Sequence, residues 1–510
     1  MILRPFDFIL SIKILILISI LIFQSFASYA QEKDLVINAE NIFYEKEMDL
    51  IEASGDVKAT YKDLEVIAPY LVYDTKEREI YADKGFTLFR NGQRIDGEVI
   101  QYGIDTKSGS AKGINMAFQG VYLKGSYIEL KPEEIYLHDA SFTSCDLPEP
   151  HYHLSGRDIY LYPEIGWVVA YWGFFWLHGI PTLPVPTYIY IFGPEKRKRN
   201  IAPVPEIGSN DEDGGYIHER IDWHRGKDLY GKVTLSYASK KGIGGGVEGN
   251  YILNDQNEMN ARVYTLGRDG LWGGITYLYS FGPEVSGTEE LIPSFVSGIR
   301  LRKYELEINV SARERINYER IYLLPEITAR SNRDKLFHPS LMYSFEISTA
   351  AVSEESTGAN TGKSAFKSTL SHALDLGFLG KLHSGIDLHY RWYGLEPLKW
   401  LQILENFDLK KQWNPVVQTG IGYSHFITND GNSPFAFEMY RFSPLDEVRG
   451  NIFFTFGQSG LGINTFYDYP SWKPKDIDYV LSIGVHCYDI IITYRALRKE
   501  FAFGMSLFAD

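Results

Sequence analysis

The chain has little of what most enzymes and secreted scaffolds rely on. Two cysteines, Cys145 and Cys487, stand in 510 residues, too few for a disulfide framework. No run long enough to cross a membrane as a helix follows residue 30; the densest apolar stretch, Gly166–Gly193, is cut by Pro181, Pro184 and Pro186. Each proline removes an N–H donor and restricts the residue before it, so extended chain packing an apolar seam between two domains is expected there. Basic residues are in the minority, 51 Lys and Arg against 65 Asp and Glu, a net charge of −14 that disfavours nucleic acid as a partner. No Gly-x-Ser-x-Gly elbow occurs, and Gly242–Gly246 lacks the Lys-Ser/Thr of a phosphate loop and reads as a hairpin turn. His151 and His153 share one strand face, but no third ligand or supporting shell lies nearby in sequence. No catalytic residue, metal or cofactor is therefore expected.

What is present is aromatic and turn-forming: 36 Tyr, 30 Phe and 46 Gly. Arg4 and Lys13 precede the apolar run Ile14–Phe23, and Ser28-Tyr29-Ala30 offers small residues before a cut. This reads as a secretory signal peptide over 1–30. An exported chain rich in Tyr and Gly and without a spanning helix is either a soluble β protein or an outer-membrane barrel.

From 31 to 195 a short motif recurs roughly every 29 residues, at Ala39–Tyr44, Ala68–Tyr73, Gly97–Tyr102, Gly125–Leu130 and Gly156–Leu161. A small residue leads each copy. Its fourth and sixth positions are apolar throughout: Ile42 and Tyr44, Leu71 and Tyr73, Ile100 and Tyr102, Ile128 and Leu130, Ile159 and Leu161. Two apart on a strand is the same face, so these ten residues form one apolar lining. Second strands are expected at Ile51–Thr60, Ile80–Phe89 and Ile135–Phe142. Such stacked strand pairs make a β-jelly-roll or a flattened β-helix; the lining is then either ordinary core or an open greasy channel.

From 196 to 510 alternating segments of about ten residues, separated by Gly and Asn turns, read as an antiparallel transmembrane barrel of about 18 strands. The first is expected at Ile201–Ser209, with Pro203 and Pro205 inside it, and the last at Glu500–Phe508. Outer loops are expected at Gly282–Leu291, Ser353–Lys363, Gly394–Gln412 and Asp468–Asp476. Lys196–Arg199 is a basic run between the two parts, able to meet lipid phosphates or to be a solvated turn.

Two cysteine-bearing segments carry a resemblance. Ala140-Ser-Phe-Thr-Ser-Cys145, followed by the aromatic, Pro-rich Tyr171–Tyr190 and the basic turn Glu195–Arg199, is similar to the end of the periplasmic domain in the LptD (OstA/Imp) family of lipopolysaccharide-assembly outer-membrane proteins. His486–Arg495 resembles that family's cysteine-bearing penultimate strand. The chain is short for the family, has two cysteines where well-studied members have four, and places its last aromatic, Phe508, two residues before the end.

The resemblance implies an all-β protein. Its periplasmic OstA-like jelly roll would receive lipopolysaccharide from an LptA-type bridge protein, and its barrel would insert the lipid into the outer leaflet. An LptE-type lipoprotein plug would be a further partner, with no nucleic acid involved. It also implies a disulfide between Cys145 and Cys487, which the residues alone leave open, and the ten lining residues as the lipid path. Proline inside a strand belongs at an edge, so Pro203 and Pro205 are expected to weaken closure against the last strand and mark a lateral gate. The competing expectation is a passive porin or outer-membrane enzyme carrying a periplasmic β domain.

Overall fold

The computed structural model describes residues 35–90, 92–192, 200–226, 228–284, 302–394, 398–439 and 446–508. The expected signal peptide and the basic run Lys196–Arg199 lie outside them. The described chain forms two compact units that meet in sequence at Met116 and Ala117.

The first unit is a roll built on one forked strand. Leu64–Asp74 pairs along its length with Leu50–Tyr61. On its other edge Val72–Asp74 bonds to Glu79–Ala82, while Glu65–Ile67 bonds to Phe86–Arg90. The strand expected at Ile80–Phe89 is thus two strands, interrupted at Asp83–Gly85, where Gly85 takes a positive φ of 89° that suits glycine. The fork opens two leaves, and Val57, Val66, Ile80, Leu88 and Ile95 fill the space between them with no exposed surface.

The second unit begins with four longer strands of the same alternation: Val121–Leu130, Ile135–Thr143, Tyr152–Tyr162 and Trp167–Leu177. Register aligns Ile128, Leu137, Ile159 and Ala170 in one row and Leu130, Ile135, Leu161 and Val168 in the next. The Pro-rich stretch is a strand, Ile180–Ile191, paired antiparallel with Trp167–Leu177. Pro181, Pro184 and Pro186 are tolerated because this is the last strand of its sheet, the place where a missing N–H costs least.

The barrel is closed and antiparallel, with 18 strands. Its alternation is the reverse of a soluble protein. The row Ile221, Val233, Val247 and Val263 shares one face, and Val247 and Val263 are exposed. The adjacent row, Asp222, Lys232, Glu248 and Arg262, points inward. There Lys232 bonds Glu248 at 3.3 Å and Arg262 bonds Glu314 at 2.8 Å. An apolar outer band over a polar lumen is the transmembrane-barrel pattern.

Strand parity decides the loops. Hairpins alternate between the two ends of the barrel, so the strand Leu271–Glu284 finishes at the end that holds His486-Cys487, opposite the end with the turn at Glu355–Ala359. Most of the expected loop Gly282–Leu291 lies outside the described residues. The expected loop Gly394–Gln412 is mostly strand: Lys399–Gln412 pairs on both sides. The expected loop Asp468–Asp476 reduces to a short turn between Ser459–Asp468 and Pro474–Val485.

Candidate functional site

The barrel closes through a broken strand. Asn200 and Ile201 pair with Leu507 and Ser506, and Ile207, Gly208 and Ser209 pair with Phe503, Ala502 and Phe501. Pro203 and Pro205 fall between these two segments, so the continuous first strand expected over Ile201–Ser209 does not form. Neither proline has an N–H for the ladder, and the Val204 N–H turns back to the Ala202 carbonyl at 2.8 Å. The seam has five paired positions, whereas Gly214–Arg225 and Leu229–Ala238 share ten.

A cavity of about 410 Å³ opens beside this break. Ile201, Pro203 and Val204 give it an apolar side; the cations Arg220, Lys232, Arg315 and Arg320, together with Glu206 and Glu219, give it a charged one. The four cations are ion-paired to Asp222, Glu248, Asp213 and Asp269. Sequence alone indicated the prolines but not these cations, which come from strands far apart in the chain and meet only when the barrel closes.

The Pro-rich strand is fastened to the barrel by polar contacts. The Ile189 N–H donates to Asp222 Oδ2 at 3.1 Å, and the Tyr188 hydroxyl donates to the Ile201 carbonyl at 2.7 Å. Asn200 bonds both the N–H and the carbonyl of Ile191, at 2.7 and 2.8 Å. Tyr162, Trp167 and Val169 pack on Tyr230 of the barrel. The His224 ring accepts or donates to the hydroxyls of Tyr162 and Tyr171.

Cys145 and Cys487 meet at one end of the barrel. Cys145 follows Ile135–Thr143; Cys487 sits in the turn between Pro474–Val485 and Tyr488–Arg495. Both are buried, and their Sγ atoms lie within 4.8 Å of each other. His151 and His486 complete the group. Burial, and then the neighbouring His178 and His486 rings, hold His151 below the ordinary imidazole range, so its ring nitrogen is free to accept. His153, expected on the same face, points elsewhere and stacks on Trp176 with centroids 5.3 Å apart.

Eight of the ten lining residues are buried: Leu71, Tyr73, Ile100, Tyr102, Ile128, Leu130, Ile159 and Leu161. Ile42 and Tyr44 occupy the same face by register, opposite Ala53 and Ile51, yet are 53% and 52% exposed. Among the described residues their strand, Asn41–Glu45, pairs with Leu50–Tyr61 alone. Within each unit the lining is closed, packed core.

No family model matches the chain. Among curated proteins it is similar to the LPS-assembly protein LptD of Thiobacillus denitrificans, 24% identical over 218 residues, 42% of this chain and 30% of that one. The corresponding protein of Chromobacterium violaceum is 24% identical over 267 residues, 48% of this chain and 33% of that one. The match thus spans about a third of these relatives' length. Among solved structures, the LptA-homologous periplasmic protein LptH of Pseudomonas aeruginosa covers 19% of this chain and 76% of its own, at 14% identity and a TM-score of 0.18. A bacterial polysaccharide outer-membrane secretin covers 60% of this chain at 9% identity and a TM-score of 0.30. By its sequence relatives, and with a β roll followed by a closed barrel, this chain resembles the LptD family of LPS-assembly proteins.

Proposed function

We propose that this chain is an outer-membrane translocon that takes lipopolysaccharide from a periplasmic LptA-type bridge and releases it into the outer leaflet through a lateral gate. In this reading the roll is periplasmic and its apolar interior carries the acyl chains. The lining is packed core within each unit, so loading would part its leaves. The polar sugar crosses through the lumen, which an LptE-type lipoprotein would share, and no bond is made or broken. The observation that carries the reading is the broken seam: a closure of five paired positions, interrupted by Pro203 and Pro205, beside a cavity with one apolar side and one charged side that includes three arginines. Lipopolysaccharide has both chemistries, acyl chains and phosphates. Charge-assisted bonds from arginine suit the phosphates.

The test is a seam lock. Ile207 and Phe503 face each other across the closure, so an I207C/F503C pair forms a crosslink there. In cells that depend on this protein, newly made lipopolysaccharide should stop reaching the surface when the crosslink forms and resume after reduction. The unsubstituted protein, given the same oxidant and reductant, is the control. Continued delivery through a locked seam would show that lipid leaves elsewhere.

A further inference from the structure

We infer that Cys145, His151, His486 and Cys487, in the reduced protein, form a tetrahedral site for one zinc-class divalent cation. The inference does not depend on the lipid-transport reading. The four ligand atoms all lie within 4.8 Å of one another. His151 Nδ1 is 3.9 Å from Cys145 Sγ and 3.7 Å from Cys487 Sγ, and His486 Nδ1 is 3.6 Å from Cys145 Sγ. A tetrahedron with Zn–S of about 2.3 Å and Zn–N of about 2.0–2.1 Å has S···N edges of about 3.6 Å. The three contacts, 3.6, 3.7 and 3.9 Å, come within 0.3 Å of that edge length.

The surroundings are those of a built site. His486 offers Nδ1 to the thiols while its Nε2 lies 3.2 Å from Asp146 Oδ1. This is the carboxylate–histidine–metal arrangement that fixes the tautomer and strengthens the donor. Three of the ligands are also held through hydrogen bonds of their own backbone groups. The Cys145 N–H donates to Thr143 Oγ1 at 3.0 Å, the His151 carbonyl accepts the His178 N–H at 2.7 Å, and the Cys487 carbonyl accepts the Phe508 N–H at 3.1 Å. Cys145 and Cys487 are 1% and 0% exposed, so bound metal would be shielded from chelation by solvent species. Two thiolates and two imidazoles select zinc over calcium or magnesium. Binding releases the two thiol protons. A Cys145–Cys487 disulfide would use both sulfurs, so metal and disulfide exclude each other at this place.

The experiment uses the full chain in detergent, reduced and freed of metal, with zinc and then cobalt(II) as probes. We expect one zinc per chain. The cobalt form should show the intense visible bands of a tetrahedral ion together with thiolate-to-metal charge transfer. Zinc should slow alkylation of Cys145 and Cys487. His151→Ala and His486→Ala should each abolish that protection while leaving the two cysteines able to crosslink on oxidation. Asp146→Asn should weaken zinc binding by roughly 10–100-fold. The inference fails if reduced, natively folded protein binds no zinc, or if both histidine variants keep the protection. The cobalt spectrum of the unsubstituted chain decides the matter even if a variant does not fold.

Discussion

The carboxylate of Asp222, on the inner wall of the barrel, accepts the backbone N–H of Ile189 from the Pro-rich strand at 3.1 Å. Its other oxygen holds Arg220 Nε at 3.0 Å. One buried side chain thus links the barrel wall to the last strand of the roll. Asp222→Ala leaves both the N–H and the guanidinium without this acceptor. The expected cost is about 1–3 kcal/mol. It should appear as a lower temperature for loss of the folded band in semi-native electrophoresis and as faster proteolysis near Ile180–Ile191. An unchanged protease pattern would mean that the hydrophobic packing of Trp167 on Tyr230 holds the strand unaided.

The expected bond between Cys145 and Cys487 makes a prediction in oxidising buffer. Their sulfurs are already neighbours, so mild oxidation should produce a faster-migrating form on a non-reducing gel, absent from Cys487→Ser. A crosslink over so long a loop stabilises by about 4–5 kcal/mol at best in the chain-entropy model. Free-thiol labelling of both residues after oxidation would count against the pairing.

At the other end of the barrel, Glu354 is 1% exposed. It accepts the backbone N–H groups of Ala436 and Phe437, both at 2.8 Å, and the Thr357 hydroxyl at 2.6 Å. These bonds seat Phe435 and Phe437 against Ile321, Leu323 and Val352. Glu354→Ala should release the segment Ala436–Met439. Amide exchange at Ala436 and Phe437 should accelerate by one to two orders of magnitude, the equivalent of about 1–3 kcal/mol, with the remaining barrel strands unaffected.

His153 gives a pH dependence. Burial, and then the charge of Lys124, lower its pKa in the folded chain. The unfolded state therefore binds the proton more readily. The stability contributed by neutral His153 is complete above about pH 6.5, its unfolded value, and is lost as pH falls through the folded value. The melting temperature should fall between pH 7 and pH 5, and a His153→Gln variant should show a shallower fall. An equal slope in both would assign the effect to other groups.

Leu71 is fully buried, whereas Val72, its neighbour on the opposite face, is partly exposed. Leu71→Ala should destabilise the first unit by about 2–5 kcal/mol. A photo-crosslinking residue at Leu71 should capture lipopolysaccharide, and one at Val72 should not. Equal capture at both positions would leave the interior as core alone.

The roll was legible because its repeat is local. Leu71 and Tyr73, or Ile159 and Leu161, announce a common face by spacing alone, and register confirmed that face in each unit. Exposure of Ile42 and Tyr44 was not legible, since it depends on their strand having no second partner among the described residues. The strand Lys399–Gln412 is hidden inside the expected loop Gly394–Gln412 because Glu405, Lys410 and Lys411 break up its apolar face. The structure gives it Phe407 outward and Asp408 inward, bonded to Arg449. The four-residue cluster escaped for a different reason. Spacing pairs His151 with His153, while the structure sets His151 beside Cys145, His486 and Cys487. Local spacing cannot show a contact that barrel closure creates.

The interruption at Pro203 and Pro205 bears on more than the proposed lipid exit. A barrel that opens at its seam uncovers two strand edges, and bare edges invite pairing with other chains. Here one edge presents two short ladders with two N–H groups missing between them. A second molecule arriving at the open seam would find no continuous row of donors to copy. Under the proposed reading the prolines would let the seam part and, by the same chemistry, would keep neighbouring barrels from joining into aggregates through it.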